Sequence, residues 1–179
     1  GTPGLGLTVP DRIPLKGWRH LPSLALQAQA HRHNLMALML HHEQSLDDLA
    51  MAVHAANVVR DRMPRRRLAH TDILARSLPL VTCPVHAIYG AHDALYKAWI
   101  HQLEDAYAAA APDFRGLTLI PDSGHWVQFE RPEAFDDALL AAIYPGSCRR
   151  PQATPEFELT ELAKPSAGGA GGAGAAFGG

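Results

Sequence analysis

The sequence predicts an α/β fold, in which a helical region precedes a β-α-β-α unit with parallel strands. Between residues 22 and 64 the apolar side chains recur at helical spacing. Two short apolar runs bounded by proline or glycine, at 84–90 and 117–121, are typical of strands buried on both faces. A helical pattern follows each run, and the order strand, helix, strand within one sheet favours parallel pairing.

Three helical segments are predicted in the first half of the chain. A helix from about 22 to 40 has its apolar residues on one face, namely Leu24, Ala28, Leu35, Leu38 and Met39. A second helix is expected to begin near Ser45, where the sequence resembles a capping box, and to end before Pro64. Its predicted apolar face consists of Leu46, Leu49, Ala50, Val53 and Ala56. A short helical piece should follow Thr71.

The β-α-β-α unit occupies residues 84–144. Its first helix is predicted over about 95 to 110, with one apolar face made of Tyr96, Ile100, Leu103 and Tyr107. The second should begin near Pro132, because proline is favoured at a first helical position, and should bury Phe135, Leu139 and Ile143. Two parallel strands cannot form a covered sheet alone, and no other segment has a good strand pattern. The predicted fold is therefore an incomplete one.

The composition excludes several classes of function. The 179 residues are 47% apolar and 19% charged, which is typical of a soluble globular protein. A net charge of -2 creates no field that would attract nucleic acid or an anionic membrane, so neither partner is predicted. No apolar run approaches the roughly 18 residues that a membrane-spanning helix needs. Cys83 and Cys148 have no paired spacing, so we expect a reducing, cytoplasmic environment.

Both ends of the chain differ in composition from its centre. Residues 1–17 contain three prolines and four glycines and are expected to form an irregular entry segment. Residues 146–179 are rich in glycine, alanine and proline, which predicts a flexible tail. The first residue is Gly1 and no signal-peptide pattern follows it, so we expect either a processed product or a fragment of a longer chain.

Two residues follow the predicted strands at positions suited to catalysis. Asp93 follows the first strand through the turn that begins at Gly90, and His125 follows the second strand through residues 121–124. The carboxyl ends of parallel strands meet at one edge of a sheet, so this carboxylate and imidazole could come together there. A buried carboxylate that fixes the tautomer of a histidine is what a nucleophile-activating pair requires. Alternatively, Asp93 could simply cap a helix that begins near Leu95.

The two segments that carry these residues resemble the carboxyl-terminal part of the α/β-hydrolase family. Their sequences are CPVHAIYGAHD at 83–93 and SGHWVQFERP at 123–132. The order of catalytic residues in that family is nucleophile, acid, histidine. The resemblance therefore implies that Asp93 is the acid and His125 the base, and it covers roughly residues 5–144.

The same resemblance assigns the remaining regions and implies a missing part. Residues 18–80 correspond to the helical cap that closes over the substrate crevice, and residues 81–145 to the carboxyl-terminal part of the core. The family's nucleophile lies in a G-x-S-x-G motif before the cap, and this sequence has no such motif. The implied function is hydrolysis of a small, fairly apolar substrate, by a fragment that lacks its serine or aspartate nucleophile and is inactive alone. No cofactor or metal is implied.

One subgroup of the family, which cleaves carbon-carbon bonds in meta-cleavage products, has a tryptophan after the histidine and an arginine in the cap. Trp126 matches this tryptophan, which makes it a candidate substrate-binding residue. The arginine has no clean match, because Val53 is near its aligned position and Arg60 lies about two turns further on. Ester, epoxide and haloalkane hydrolysis therefore stay open.

Other interpretations of the sequence compete with catalysis. The histidine clusters at 31–33 and 41–43 suggest a metal site, but the H-E-x-x-H spacing is absent, so solvated or packed histidines are favoured. The basic run at 60–67 is interpreted as a solvated turn. A non-catalytic alternative is a binding or interaction module, which would cover its bare sheet edge with a partner or with a second copy of itself.

Overall fold

The computed structural model describes residues 4–7, 13–61, 71–97 and 99–144. Its α-helices and strands are α1 (Leu24–Asn34), α2 (Asp48–Arg60), α3 (Ile73–Ser77), β1 (Val85–Gly90), α4 (Leu103–Ala110), β2 (Phe114–Ile120), α5 (Val127–Glu130) and α6 (Pro132–Ile143). A π-helical turn at Leu35–Met39 continues α1. The predicted tail at 146–179 and most of the basic run lie outside the described residues. Within the described ranges, no helix has the length and apolar character needed to cross a membrane.

β1 and β2 pair in parallel, as predicted, which gives the described part of the chain α/β character. β2 begins at Phe114 rather than at the predicted Leu117, because Phe114 already pairs with Val85, and the pairing is irregular between Phe114 and Leu117. Gly116 lies in this irregular stretch with a φ of 128°, which other residues rarely adopt. Gly90 pairs with Ile120, so both strands end at the same level. The segments that follow the strands therefore begin side by side.

The larger core packs around three tyrosines on β1, on α4 and in the turn between them. The hydroxyls of Tyr89 and Tyr107 are hydrogen-bonded at 2.8 Å, and the Tyr96 ring contacts the Tyr89 ring edge-on. Burial raises the pKa of the Tyr96 hydroxyl well above its usual range, so this group stays protonated. The other buried residues of this core are Leu5, Leu78, Ala87, Leu103 and Ala111. This core fixes β1, and with it the segment that carries Asp93, against α4.

α4 begins at Leu103, whereas the sequence predicted a helix from about residue 95. The predicted start was therefore wrong. One carboxylate oxygen of Asp93 accepts a hydrogen bond from the Leu95 N–H at 3.0 Å, and the carbonyl of Asp93 accepts one from the Tyr96 N–H at 2.9 Å. These bonds close a tight turn in place of the first helical turn. Tyr96 nevertheless packs in the core, which is why the apolar spacing resembled a longer helix.

The predicted apolar face of α2 was only partly right, because Ala50 lies inward as predicted but Leu49 and Val53 do not. Leu49 and Val53 are 60% and 38% exposed, whereas Ala50 and His54 are buried. The contact with α1 selects this face, because the ring of His31 on α1 meets the ring of His54 with 5.2 Å between their centroids. The apolar spacing of α2 therefore identified the helix but not the side that faces its neighbour.

α6 buries less of its apolar stripe than the sequence predicted. Phe135 is half-buried, but Leu139 and Ile143 are 38% and 56% exposed. Helical spacing correctly located the stripe, and α6 contacts both strands. A sheet of two strands offers too little surface to cover the rest of it.

α1 and α2 enclose a pair of buried histidines. His31 and His54 are 6% and 5% exposed, and the Trp18 ring lies 4.8 Å from the His31 ring. Nδ1 of His31 and Nε2 of His54 have no hydrogen-bond partner in the described part of the chain. Burial lowers the pKa of both imidazoles, and the nearby His31 lowers that of His54 further. The folded protein therefore favours both rings in their neutral form.

Acidification should destabilise this helix pair. In the unfolded chain both histidines return to an ordinary pKa of about 6.5, so below that pH the unfolded state binds more protons than the folded state. The free energy of unfolding should therefore fall as the pH drops from about 7.5 to about 5.5. For each histidine, every unit by which burial lowers its pKa can contribute at most about 1.4 kcal/mol to this fall. Urea titrations at the two pH values measure this change.

A matched pair of variants isolates the buried histidines from other titrating groups. His54→Leu should reduce the loss of stability on acidification, whereas His101→Ala, which removes an exposed histidine, should leave it unchanged. An equal loss of stability in both variants would contradict this account of the helix pair.

Candidate active site

The loops after β1 and β2 pack directly against each other. The N–H of His92 donates a hydrogen bond to the carbonyl of Ser123 at 2.9 Å. A Cβ atom added to Gly90 would overlap the carbonyl oxygens of Ser123 and Gly124. β1 must therefore end in glycine for the two loops to come together. This close approach brings the residues that follow each strand within contact distance.

Asp93 and His125 meet across these two loops. Nδ1 of His125 lies 2.9 Å from one carboxylate oxygen of Asp93, and the other carboxylate oxygen accepts the Leu95 N–H. The side chain of Asp93 is fully buried, while that of His125 is 19% exposed. The structure thus brings together the two residues that the sequence singled out, with the carboxylate inside and the imidazole nearer to solvent.

The surroundings of Asp93 favour its ionised form. Burial alone would raise the pKa of this carboxyl, but the hydrogen bond and charge of His125 and the Leu95 N–H outweigh burial and hold the pKa below its usual range. An ionised carboxylate can accept a hydrogen bond from the Nδ1–H group of the ring. Such a pair can hold one tautomer of the imidazole and stabilise its cation, which is the requirement for a general base.

Glu130 is a buried carboxylate that the sequence analysis did not single out. Its Oε1 accepts the N–H groups of His41 and His42 at 2.8 and 2.9 Å, and its Oε2 accepts the Gly124 N–H at 2.6 Å. One side chain therefore joins the segment after α1 to the loop that carries His125. The sequence offered little signal for this role, because Glu130 stands in the polar stretch between Phe129 and Pro132.

Trp126 lies between the helical region and the loop after β2 that carries His125, which we call the histidine loop. Its backbone N–H donates a hydrogen bond to the carbonyl of Met39 at 2.9 Å. Its half-buried ring packs near the ring of Phe129, with 5.8 Å between centroids. Both rings border a second, smaller core, whose buried members are Leu35, Leu40 and Ala50. The structure thus places the candidate substrate-binding tryptophan against the helical region.

A third set of polar side chains gathers at the same edge of the sheet. His41, His92 and Asp122 are exposed, and one possible ligand atom from each lies within 4.8 Å of the others. The rings of His41 and His92 are stacked, with 3.9 Å between centroids and 3° between planes. Partial loss of solvation, followed by the proximity of His92 and His42, lowers the pKa of His41. The sequence clusters at 31–33 and 41–43 did not indicate this group, because its members are distant in sequence.

Comparison with known proteins finds a structural likeness but no matching family model. No family model matches the chain, and no curated protein matches it. Among solved structures, the chain is similar to a crystal structure from Burkholderia cenocepacia of a protein provisionally described as an aryl esterase. The two are 23% identical with a TM-score of 0.48, over 80% of this chain and 47% of that one, so this chain spans about half of its length. A likeness this distant does not assign a family or an activity to the chain.

Removing the charge of Glu130 should loosen the histidine loop. In Glu130→Gln one carboxylate oxygen becomes an NH2 group, which cannot accept the N–H groups that now bind there, so the free energy of unfolding should fall by about 2–4 kcal/mol. Hydrogen exchange should show faster exchange at the amides of His41, His42 and Gly124. Glu133→Gln, at an exposed glutamate in the first turn of α6, is the matched control. It should lower the free energy of unfolding by less than about 1 kcal/mol, through the lost charge at the helix N-terminus, and should leave the exchange of these amides unchanged. Unchanged exchange at these amides in Glu130→Gln would refute this role.

Proposed function

We propose that this chain carries the acid and base of a hydrolase of the α/β-hydrolase type, acting on a small, fairly apolar substrate. The observation that supports this most strongly is the 2.9 Å contact between Nδ1 of His125 and the fully buried carboxylate of Asp93. In this mechanism His125 takes a proton from the nucleophile or from an attacking water, and then returns it to the leaving group. Asp93 holds the ring in the required tautomer and stabilises the imidazolium.

The nucleophile of the proposed triad comes from sequence outside these 179 residues. The chain has no G-x-S-x-G motif, and in the family this motif precedes the cap. Ser123 is buried near His125, but its hydroxyl donates to the carbonyl of Ile120 at 2.9 Å. It is therefore engaged with backbone, and we assign it no nucleophilic role.

In this proposal residues 18–80 act as the cap. Two sets of hydrogen bonds support a cap fixed against the loop that carries His125. The backbone N–H of Trp126 donates to the carbonyl of Met39, and the side-chain carboxylate of Glu130 accepts the backbone N–H groups of His41 and His42. Trp126, at this junction, would contribute to the wall of the substrate pocket. Its apolar ring suits a substrate with an apolar part, such as an ester with a short acyl chain.

A second proposal, a non-catalytic interaction module, has one observation in its favour. Leu119 on β2 and Leu139 and Ile143 on α6 are 39%, 38% and 56% exposed. These exposed apolar side chains would be buried by contact with another part of the same protein, with a partner or with a second copy. The same exposure fits the first proposal, in which further strands of the hydrolase core cover them.

The catalytic proposal is tested by measuring turnover in the longer protein, which includes any coding sequence upstream of Gly1. With p-nitrophenyl butyrate as a probe ester, His125→Ala and Asp93→Asn should each lower kcat by roughly a thousandfold or more, because loss of one member disables the triad. His101→Ala removes an exposed histidine outside the pair and should keep wild-type turnover.

Turnover that survives in His125→Ala would exclude His125 as the base. If that longer protein contains no nucleophile elbow and hydrolyses neither esters nor carbon-carbon bonds, the interaction module becomes the better account. Size-exclusion chromatography of the 179-residue chain then reports whether it self-associates.

A further inference from the structure

We propose that His41, His92 and Asp122 form a binding site for a divalent transition-metal ion of the zinc type. The three residues come from different segments: His41 follows the π-helical turn, His92 follows β1, and Asp122 follows β2. One ligand atom from each lies within 4.8 Å of the other two. The site is distinct from the Asp93–His125 pair, and the proposal does not depend on hydrolase activity.

The backbone positions of the three residues are fixed by contacts that do not involve an ion. The N–H of His41 binds the buried carboxylate of Glu130, and the N–H of His92 binds the carbonyl of Ser123. Asp122 lies in a turn with a φ of 49°, a left-handed conformation that aspartate tolerates better than most residues. The site is therefore organised at the level of the backbone, while its exposed side chains are free to adjust.

The chemistry of the three ligands selects the kind of ion. Two imidazoles and one carboxylate suit Zn²⁺ and related borderline ions, whereas Ca²⁺ and Mg²⁺ prefer oxygen ligands alone. Three protein ligands leave at least one coordination position for water. His42 is not counted as a ligand, because its Nε2 lies 3.1 Å from both the carbonyl of Asp122 and the guanidinium of Arg131.

Small side-chain movements would complete the coordination. Because the three atoms lie within 4.8 Å of one another, an ion equidistant from them lies at most about 2.8 Å from each, so ligand distances of about 2.1 Å need an inward shift of at most about 0.7 Å. The stacked rings of His41 and His92 must also turn, because each nitrogen lone pair lies in the plane of its own ring. Both side chains are exposed, so neither movement disturbs the core.

Metal titration of the intact 179-residue chain tests this site without any assay of activity. Addition of Co²⁺ should produce visible absorption bands that differ from those of Co²⁺ in water. Zn²⁺ should abolish these bands by displacing Co²⁺ from the site, whereas excess Mg²⁺ should not. His92→Ala and His41→Ala should each weaken Zn²⁺ binding at least about tenfold, since each removes a direct ligand. Asp122→Asn, which keeps a residue that tolerates the left-handed conformation, should also weaken it.

His86→Ala and His101→Ala are the matched controls, because each removes one exposed histidine outside the site. Both should bind Zn²⁺ as the wild type does. The proposal is overturned if the wild type binds no Zn²⁺, or if the controls lose as much affinity as His92→Ala, which would indicate scattered binding to surface histidines. Circular dichroism of each variant separates loss of a ligand from loss of the fold.

Discussion

The arrangement of functional groups depends on one close backbone contact, the passage of residues Ser123 and Gly124 over Gly90 at the end of β1. Because β1 and β2 end at the same level, this contact brings the loop after one strand directly onto the loop after the other. The Asp93–His125 pair lies within this junction. A side chain at position 90 would separate the two loops, and the carboxylate would then lose the imidazole.

Glu130 extends this junction to the helical region. Its two oxygens bind N–H groups on both sides, two in the segment after α1 and one at Gly124. A carboxylate that accepts several N–H groups is held more strongly than a neutral acceptor, so it can fix a position where apolar packing is sparse. The helical region and the histidine loop are therefore joined by polar contacts as well as by the packing of Trp126 and Phe129 on the smaller core.

The sequence predicted those parts of the molecule that depend on local pattern. The two strands, their parallel order and the positions of Asp93 and His125 follow from short apolar runs and the turns behind them. The start of α4 was not predictable in the same way, because the residues that follow Asp93 satisfy apolar spacing while their N–H groups bond to Asp93 itself. Which face of α2 lies inward depends on α1, and no pattern within α2 records that contact.

The polar groups that sequence analysis missed are those assembled from distant segments. Glu130 precedes the predicted last helix and resembles an ordinary surface glutamate in sequence, and its burial becomes visible only when the segment after α1 lies against it. His41 belongs to a histidine cluster that the sequence favoured as solvated or packed, while His92 and Asp122 are unremarkable in sequence, since solvated histidines and turn aspartates are common. Their proximity is a property of the loop junction.

The central claim is that Asp93 determines which nitrogen of His125 carries the proton, and nitrogen-15 NMR of the neutral His125 ring in the intact chain measures this directly. The wild type should carry its proton on Nδ1. In Asp93→Asn the amide oxygen should keep the Leu95 N–H, so the NH2 group would face the ring and move the proton to Nε2. A proton on Nε2 in the wild type, or the same tautomer in both proteins, would contradict the account.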